Sequence, residues 1–322
     1  MTNDERIIAN KYQLQVYLGG LEPQWRLLSI KAIRKMFENY EIFFADIVPT
    51  QTPVKEFEKQ IKLGLAYSAV AEVMQYIEDL FSLMHTSKDI DNLIKNMVNY
   101  IPNKVAKYIE TFESMTEAER LPEMLMPYFP DDEPWENLDV QEQYIIVKKN
   151  TTDYLDSIIA FRKKYKRFYL QYKHGLKTPL NPFCNHTQFQ MDVDSTAVPI
   201  YRYENKIENF NNNSLIIPQL HPCFSQVASS LATENNLLLY EAVTVDFDEL
   251  TDIATKTYKL LVCLHQNLMF LAQSEKTTTI REVKFPVGST MDLLCTIGFP
   301  LDIEQADIFA PNDGNPSTEI DN

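Results

Sequence analysis

Glycine is scarce in this chain, with seven in 322 residues. Nucleotide-binding folds place glycines where backbone must close on a phosphate. Gly19, Gly20, Gly64, Gly175, Gly288, Gly298 and Gly314 form no G-x-G pair, and none precedes Lys-Ser or Lys-Thr. The count argues against a dinucleotide fold and a P-loop. It also favours helix over a turn-rich all-β fold.

Cysteine is sparse too. Cys184, Cys223, Cys263 and Cys295 are far apart and form no C-x-x-C, which speaks against a disulfide scaffold. Long apolar runs are missing. The longest, residues 258–272, is interrupted by Lys259, His265, Gln266 and Asn267, too polar and too short to span a bilayer. The opening Met-Thr-Asn-Asp-Glu-Arg has neither a basic n-region nor an apolar h-region, so no signal peptide is expected. These absences predict a soluble protein of the reducing cytoplasm with no membrane partner. Positive charge is also in deficit: 30 Lys and Arg face 45 Asp and Glu, a net charge of −15. Such a chain repels phosphate backbones overall, so any nucleic-acid contact must come from a local inversion of charge.

What is present is core-forming material. Hydrophobic residues make up 45%, with 18 Phe and 17 Tyr. That suffices for a sizeable core and about two domains.

Apolar periodicity predicts helices over residues 4–18, 23–46, 54–84 and 90–115. Pro102 predicts a break within the last of these. Residues 116–138, with Pro122, Pro127, Pro130 and Pro134, read as a linker. From Glu110 through Glu142 there are eleven acidic residues and one basic residue, Arg120.

The strongest pattern follows, at residues 139–174. Val140, Tyr144, Val147, Thr151, Tyr154, Ile158, Phe161, Tyr165, Phe168 and Tyr172 alternate spacings of four and three. A heptad-like stripe of this kind implies one long helix packed nearly parallel to its neighbours. Gly175 and Pro179 mark its stop.

Beyond it, residues 197–203 and 215–217 read as short strands. Residues 247–273 read as an apolar helix, and 280–287 with 291–297 as a candidate hairpin. The expected fold is mainly α: a helical bundle of four to five helices over residues 1–178, with the acidic Pro-rich linker inside it. A smaller α+β region over 179–310 and a polar, disordered tail over 311–322 complete it.

Local inversion of charge occurs once. Residues 161–177 carry Arg162, Lys163, Lys164, Lys166, Arg167, Lys173, His174 and Lys177, with no acid between Asp156 and Asp192. Aromatic residues are interleaved with them. Cations for phosphate and rings for unstacked bases are what RNA contact requires, which makes Lys163, Lys164, Lys166 and Lys173 candidate RNA-binding residues. The plainer alternative is that the rings belong to the core stripe. The cations would then answer the acidic linker or the negative end of the helix.

Arg167 and His174 are seven residues apart, two helical turns, and so share a face. Histidine can move protons near neutral pH, and arginine can stabilise charge developing on phosphorus. The pair could cleave RNA without metal, with the ribose 2′-OH as nucleophile. Alternatively, His174 caps the helix end and Arg167 is a solvated cation.

A helical bundle with R-x6-H on a late helix, followed by Tyr172-Lys173-His174-Gly175, resembles the HEPN superfamily. The resemblance covers about residues 1–180. It implies a metal-independent endoribonuclease of a bacterial stress, toxin–antitoxin or phage-defence system. Arg167 and His174 would be catalytic, and the active unit a homodimer whose interface unites residues from two protomers. It calls for no cofactor. Glu78 or Asp79 would supply a supporting carboxylate, although both also fit an ordinary polar helix face.

A second candidate is metal. Cys184-x-His186 and His221-x-Cys223 make a Cys2His2 set, but zinc sites usually space local ligands by two to four residues. The alternative is two loop histidines and two inert thiols. His265, beside Leu261, Leu264 and Leu268, reads as a satisfied core histidine. The rivals to a ribonuclease are a non-catalytic scaffold that binds a protein partner, and a sensor or antitoxin-like component that buries its own basic segment.

Overall fold

The computed structural model describes residues 3–47, 54–130, 138–173, 197–204, 239–273, 280–286 and 294–300. The protein is mainly α. In chain order the helices are α1 (Asn3–Gly19), α2 (Gln24–Glu38), α3 (Tyr40–Phe44), α4 (Glu58–Ser87), α5 (Leu93–Val98), α6 (Pro102–Glu113), α7 (Glu117–Glu123) and α8 (Leu138–Lys173). A helix at Phe247–Gln273, here α9, follows the strand pair β1 (Ala197–Glu204) and β2 (Leu239–Asp246). Strands β3 (Ile280–Pro286) and β4 (Leu294–Pro300) come last. No described helix is long and apolar enough to cross a membrane.

α8 extends over 36 residues because nothing in it interrupts helix: it contains no glycine and no proline. Of the ten stripe residues, Tyr144, Val147, Thr151, Ile158, Phe161, Tyr165 and Phe168 are buried. A second buried row runs beside them through Lys148, Leu155, Ile159, Arg162 and Tyr169. The helix therefore buries a broad face and not a narrow seam.

Elsewhere the periodic segments break at identifiable residues. The helix expected over 23–46 stops at Glu38 and restarts at Tyr40. Between them Asn39 leaves helical geometry (φ −125°, ψ 37°), and its side-chain amide donates to the Lys35 carbonyl at 3.1 Å. Asparagine competes in this way with the backbone's own hydrogen bonds. Pro102 occupies the first turn of α6, which produces the expected break.

Residues 116–138 are not wholly a linker, since α7 lies within them. The Glu119 carboxylate accepts from the Thr116 backbone N–H at 2.7 Å and from its hydroxyl at 2.9 Å, closing a capping box. α7 ends in a Schellman-type turn, with Met126 N–H donating to Leu121 O at 3.1 Å. Leu125 takes the left-handed position there (φ 56°), which glycine usually fills, and its side chain is buried.

β1 pairs with β2 antiparallel, from Ala197 opposite Asp246 to Glu204 opposite Leu239. β3 and β4 pair antiparallel, as the hairpin reading expects. Residues 215–217, the boundary at 178 and the tail from 311 lie outside the described residues.

Two compact units emerge. One comprises Met1–Pro23, Glu78–Ser157 and Lys256–Asn322; the other comprises Gln24–Ile77 and Ile158–Thr255.

In the first unit, Phe81 of α4 meets Phe112 and Tyr108 of α6 edge-on. Arg120 of α7 pairs with Asp156 of α8 at 2.7 Å. His265 of α9 is half-buried and satisfied by the Leu18 carbonyl of α1 at 2.6 Å. The buried Tyr144 hydroxyl accepts from Phe129 N–H at 2.8 Å and donates to Pro127 O at 3.3 Å. It fixes the chain after α7 against α8. Tyr144→Phe removes both bonds, so it is expected to lower stability by about 1–2 kcal/mol in urea unfolding. An unchanged midpoint would show that water satisfies those groups instead.

In the second unit, α2 packs on α9 through Phe37 and Phe247, ring centroids 4.4 Å apart. It packs on α4 through Arg26, which donates to Glu72 at 3.0 Å and Gln75 at 2.9 Å.

Candidate functional site

The basic end of α8, residues 158–173, belongs to the second unit. Tyr165, Phe168 and Tyr169 turn inward and are buried. Lys163, Arg167 and Leu170, spaced by four and three, form the exposed ridge opposite.

The cations of this segment separate into different environments. Arg162 is 5% exposed, carried inward by the second buried row, and it is partnered there. Lys164 pairs with Glu249 of α9, Nζ to Oε2 2.7 Å. Lys163 and Lys166 are also engaged with neighbouring groups. Arg167 is exposed and forms no hydrogen bond or ion pair among the described residues. Lys173 ends the helix. His174, the next residue, lies outside the described residues, as do the candidate zinc ligands Cys184, His186, His221 and Cys223.

Glu249 had no distinguishing mark in the sequence beyond its place in an acidic first turn. Its carboxylate has two polar neighbours. Besides Lys164, it faces the hydroxyl of buried Tyr165 at 3.4 Å, and that hydroxyl donates to Thr244 O of β2 at 2.9 Å. Burial first, then the Glu249 charge, pushes the Tyr165 hydroxyl well above the ordinary tyrosine range. Tyr165 therefore stays neutral and acts as a fixed donor. One residue earlier, Asp248 pairs with Arg34 of α2 at 2.7 Å. Acids in the first turn of α9 also complement its positive end.

At the end of α8, Tyr172 stacks on Tyr67 of α4, centroids 6.0 Å apart and planes 5° from parallel. Its hydroxyl lies 3.4 Å from Ser68 Oγ. The aromatic stripe thus keeps its packing role to the last turn.

Glu78 and Asp79 fall in the first unit, beside Tyr100. Burial, then Glu78, then Asp79 raise the Tyr100 hydroxyl pKa, with Ser82 opposing. Cys263 is buried, and that burial pushes its thiol up, so it is a protonated core residue and not a nucleophile. Among the described residues no three His, Cys, Asp or Glu side chains are grouped to hold a metal ion. No protein-family model matches the chain, and no curated protein and no solved structure gives a significant match.

Proposed function

We propose that this chain is a HEPN-like helical protein that acts on RNA without a metal, through Arg167 of α8 and His174, the residue after its last described position. The reading rests above all on Arg167. It stands exposed and without a carboxylate partner among the described residues, in a segment where Arg162, Lys163, Lys164 and Lys166 are engaged. An arginine kept free of local acids can receive a phosphate. His174, seven residues on in the sequence, would take the proton from the ribose 2′-OH and later return one to the departing 5′-oxygen. Arg167 would hold the charge that builds on the phosphoryl oxygens between those steps. By the same resemblance the working form is a homodimer in bacterial stress or phage defence.

A specific observation favours a second reading, a non-catalytic scaffold. Lys164 and Arg162 are spent within the fold, so much of the basic run has a structural use.

The experiment that decides is cleavage of total RNA and tRNA in EDTA by wild type and by His174→Ala. Cleavage by wild type alone supports the nuclease. Equal cleavage by both would trace the activity to another group or a contaminant. No cleavage by either would leave the scaffold as the better account.

A further inference from the structure

The Lys164–Glu249 pair is more than one surface contact among many. Glu249 lies 3.4 Å from the buried Tyr165 hydroxyl and sits in the first turn of α9, where its negative charge is favoured. Both members remain open to water, with side chains 39% and 34% exposed. Pairs of such exposure are weak, so an incoming phosphate can displace the carboxylate. Lys164 is also only three residues from Arg167 on the same helix, close enough for one RNA backbone to meet both.

We infer that Glu249 is a built-in competitor for phosphate at Lys164, an intrachain contact that restrains RNA binding by the end of α8. The inference rests on the RNA reading above and specifies how that site is regulated. RNA must displace the Glu249 carboxylate from Lys164 before the lysine can count toward binding. Glutamine at 249 keeps the side-chain shape beside Tyr165 and removes the competing charge.

The test is binding of a fluorescent single-stranded oligoribonucleotide by full-length wild type, Glu249→Gln, Lys164→Ala, Arg167→Ala and the Lys164→Ala/Glu249→Gln double variant, over a range of salt. Circular dichroism and thermal melts would confirm that each is folded. Glu249→Gln is expected to bind about two- to five-fold tighter, the range that an exposed ion pair is worth. Its log-affinity against log-salt slope should steepen by about 0.7, one added phosphate contact on a single strand. Both effects should vanish in the Lys164→Ala background.

If Glu249→Gln matches wild type while Arg167→Ala weakens binding, RNA binding stands and the competitor role is overturned. If the tightening persists without Lys164, it is a general effect of lost negative charge, and the role is again overturned. If neither wild type nor Glu249→Gln binds, or if Arg167→Ala changes nothing, the RNA reading fails and takes this inference with it.

Discussion

Phe81→Ala is expected to lower unfolding stability by about 3–5 kcal/mol, because the removed ring leaves a cavity that rigid neighbours fill poorly. Phe81 is fully buried in the first unit. Its edge meets the Phe112 ring at 5.1 Å and 75°, and the Tyr108 ring at 6.3 Å and 67°. Contacts of this geometry add about 0.5–1.5 kcal/mol each beyond the area they cover. Tyr108 cannot easily move into the gap. Its hydroxyl donates to Glu123, which in turn pairs with Lys88 at 2.7 Å. The measurement is a urea titration followed by fluorescence. A loss under about 1.5 kcal/mol would mean that the α4–α6 contact relaxes, more like a volume-conserving swap than a true cavity.

Lys62→Met is expected to be comparably damaging, for an electrostatic reason. Lys62 Nζ lies 2.8 Å from Glu58 Oε1, with the side chains only 7% and 11% exposed. The ammonium also sits over the rings of Phe37 and Tyr40, at 5.3 and 5.1 Å. Methionine fills the volume but leaves the Glu58 carboxylate with no buried counter-charge among the described residues, which typically costs about 3–5 kcal/mol. Neutralising both partners, as Glu58→Gln/Lys62→Met, should recover most of that loss. The readout is the coupling energy of the double-mutant cycle. Single losses that simply add would show that water reaches Glu58 and the pair is not truly buried.

Repetition and strong breakers were legible in the sequence. α8 was readable because ten positions keep one alternating rhythm, and seven of them are buried. α9 was readable from its apolar period, and its observed bounds, Phe247–Gln273, match that reading. The turn at Asn39 was less visible, because asparagine is tolerated in helices and only its hydrogen bond to Lys35 reveals the break. Four prolines hid α7, although the Thr116 and Glu119 spacing that caps it was present. Pairing of β1 with β2 was invisible, since register depends on a partner 35 residues or more away in the chain.

The candidate site was legible in kind but not in use. A run of cations can be counted, but its solvent exposure cannot. Arg162 lies one residue from Lys163 in sequence and on a different side of the helix surface. Lys164 is answered by an acid 85 residues away, which no local reading of charge can reach.

α4, α8 and α9 each pass from one unit to the other within a single helix, at residues 77–78, 157–158 and 255–256. This bears on how the chain is made. Leu18 is made well before its partner: its carbonyl waits for His265, 247 residues later. Phe37 waits similarly for Phe247. Neither unit can close while α9 is still untranslated, so the α2 face at Phe37 stays uncovered through most of synthesis. Such delayed, long-range closure is the situation in which nascent chains depend most on chaperones. For the same reason, no single cut in the chain releases an intact unit, and fragments designed to express either one would sever a helix.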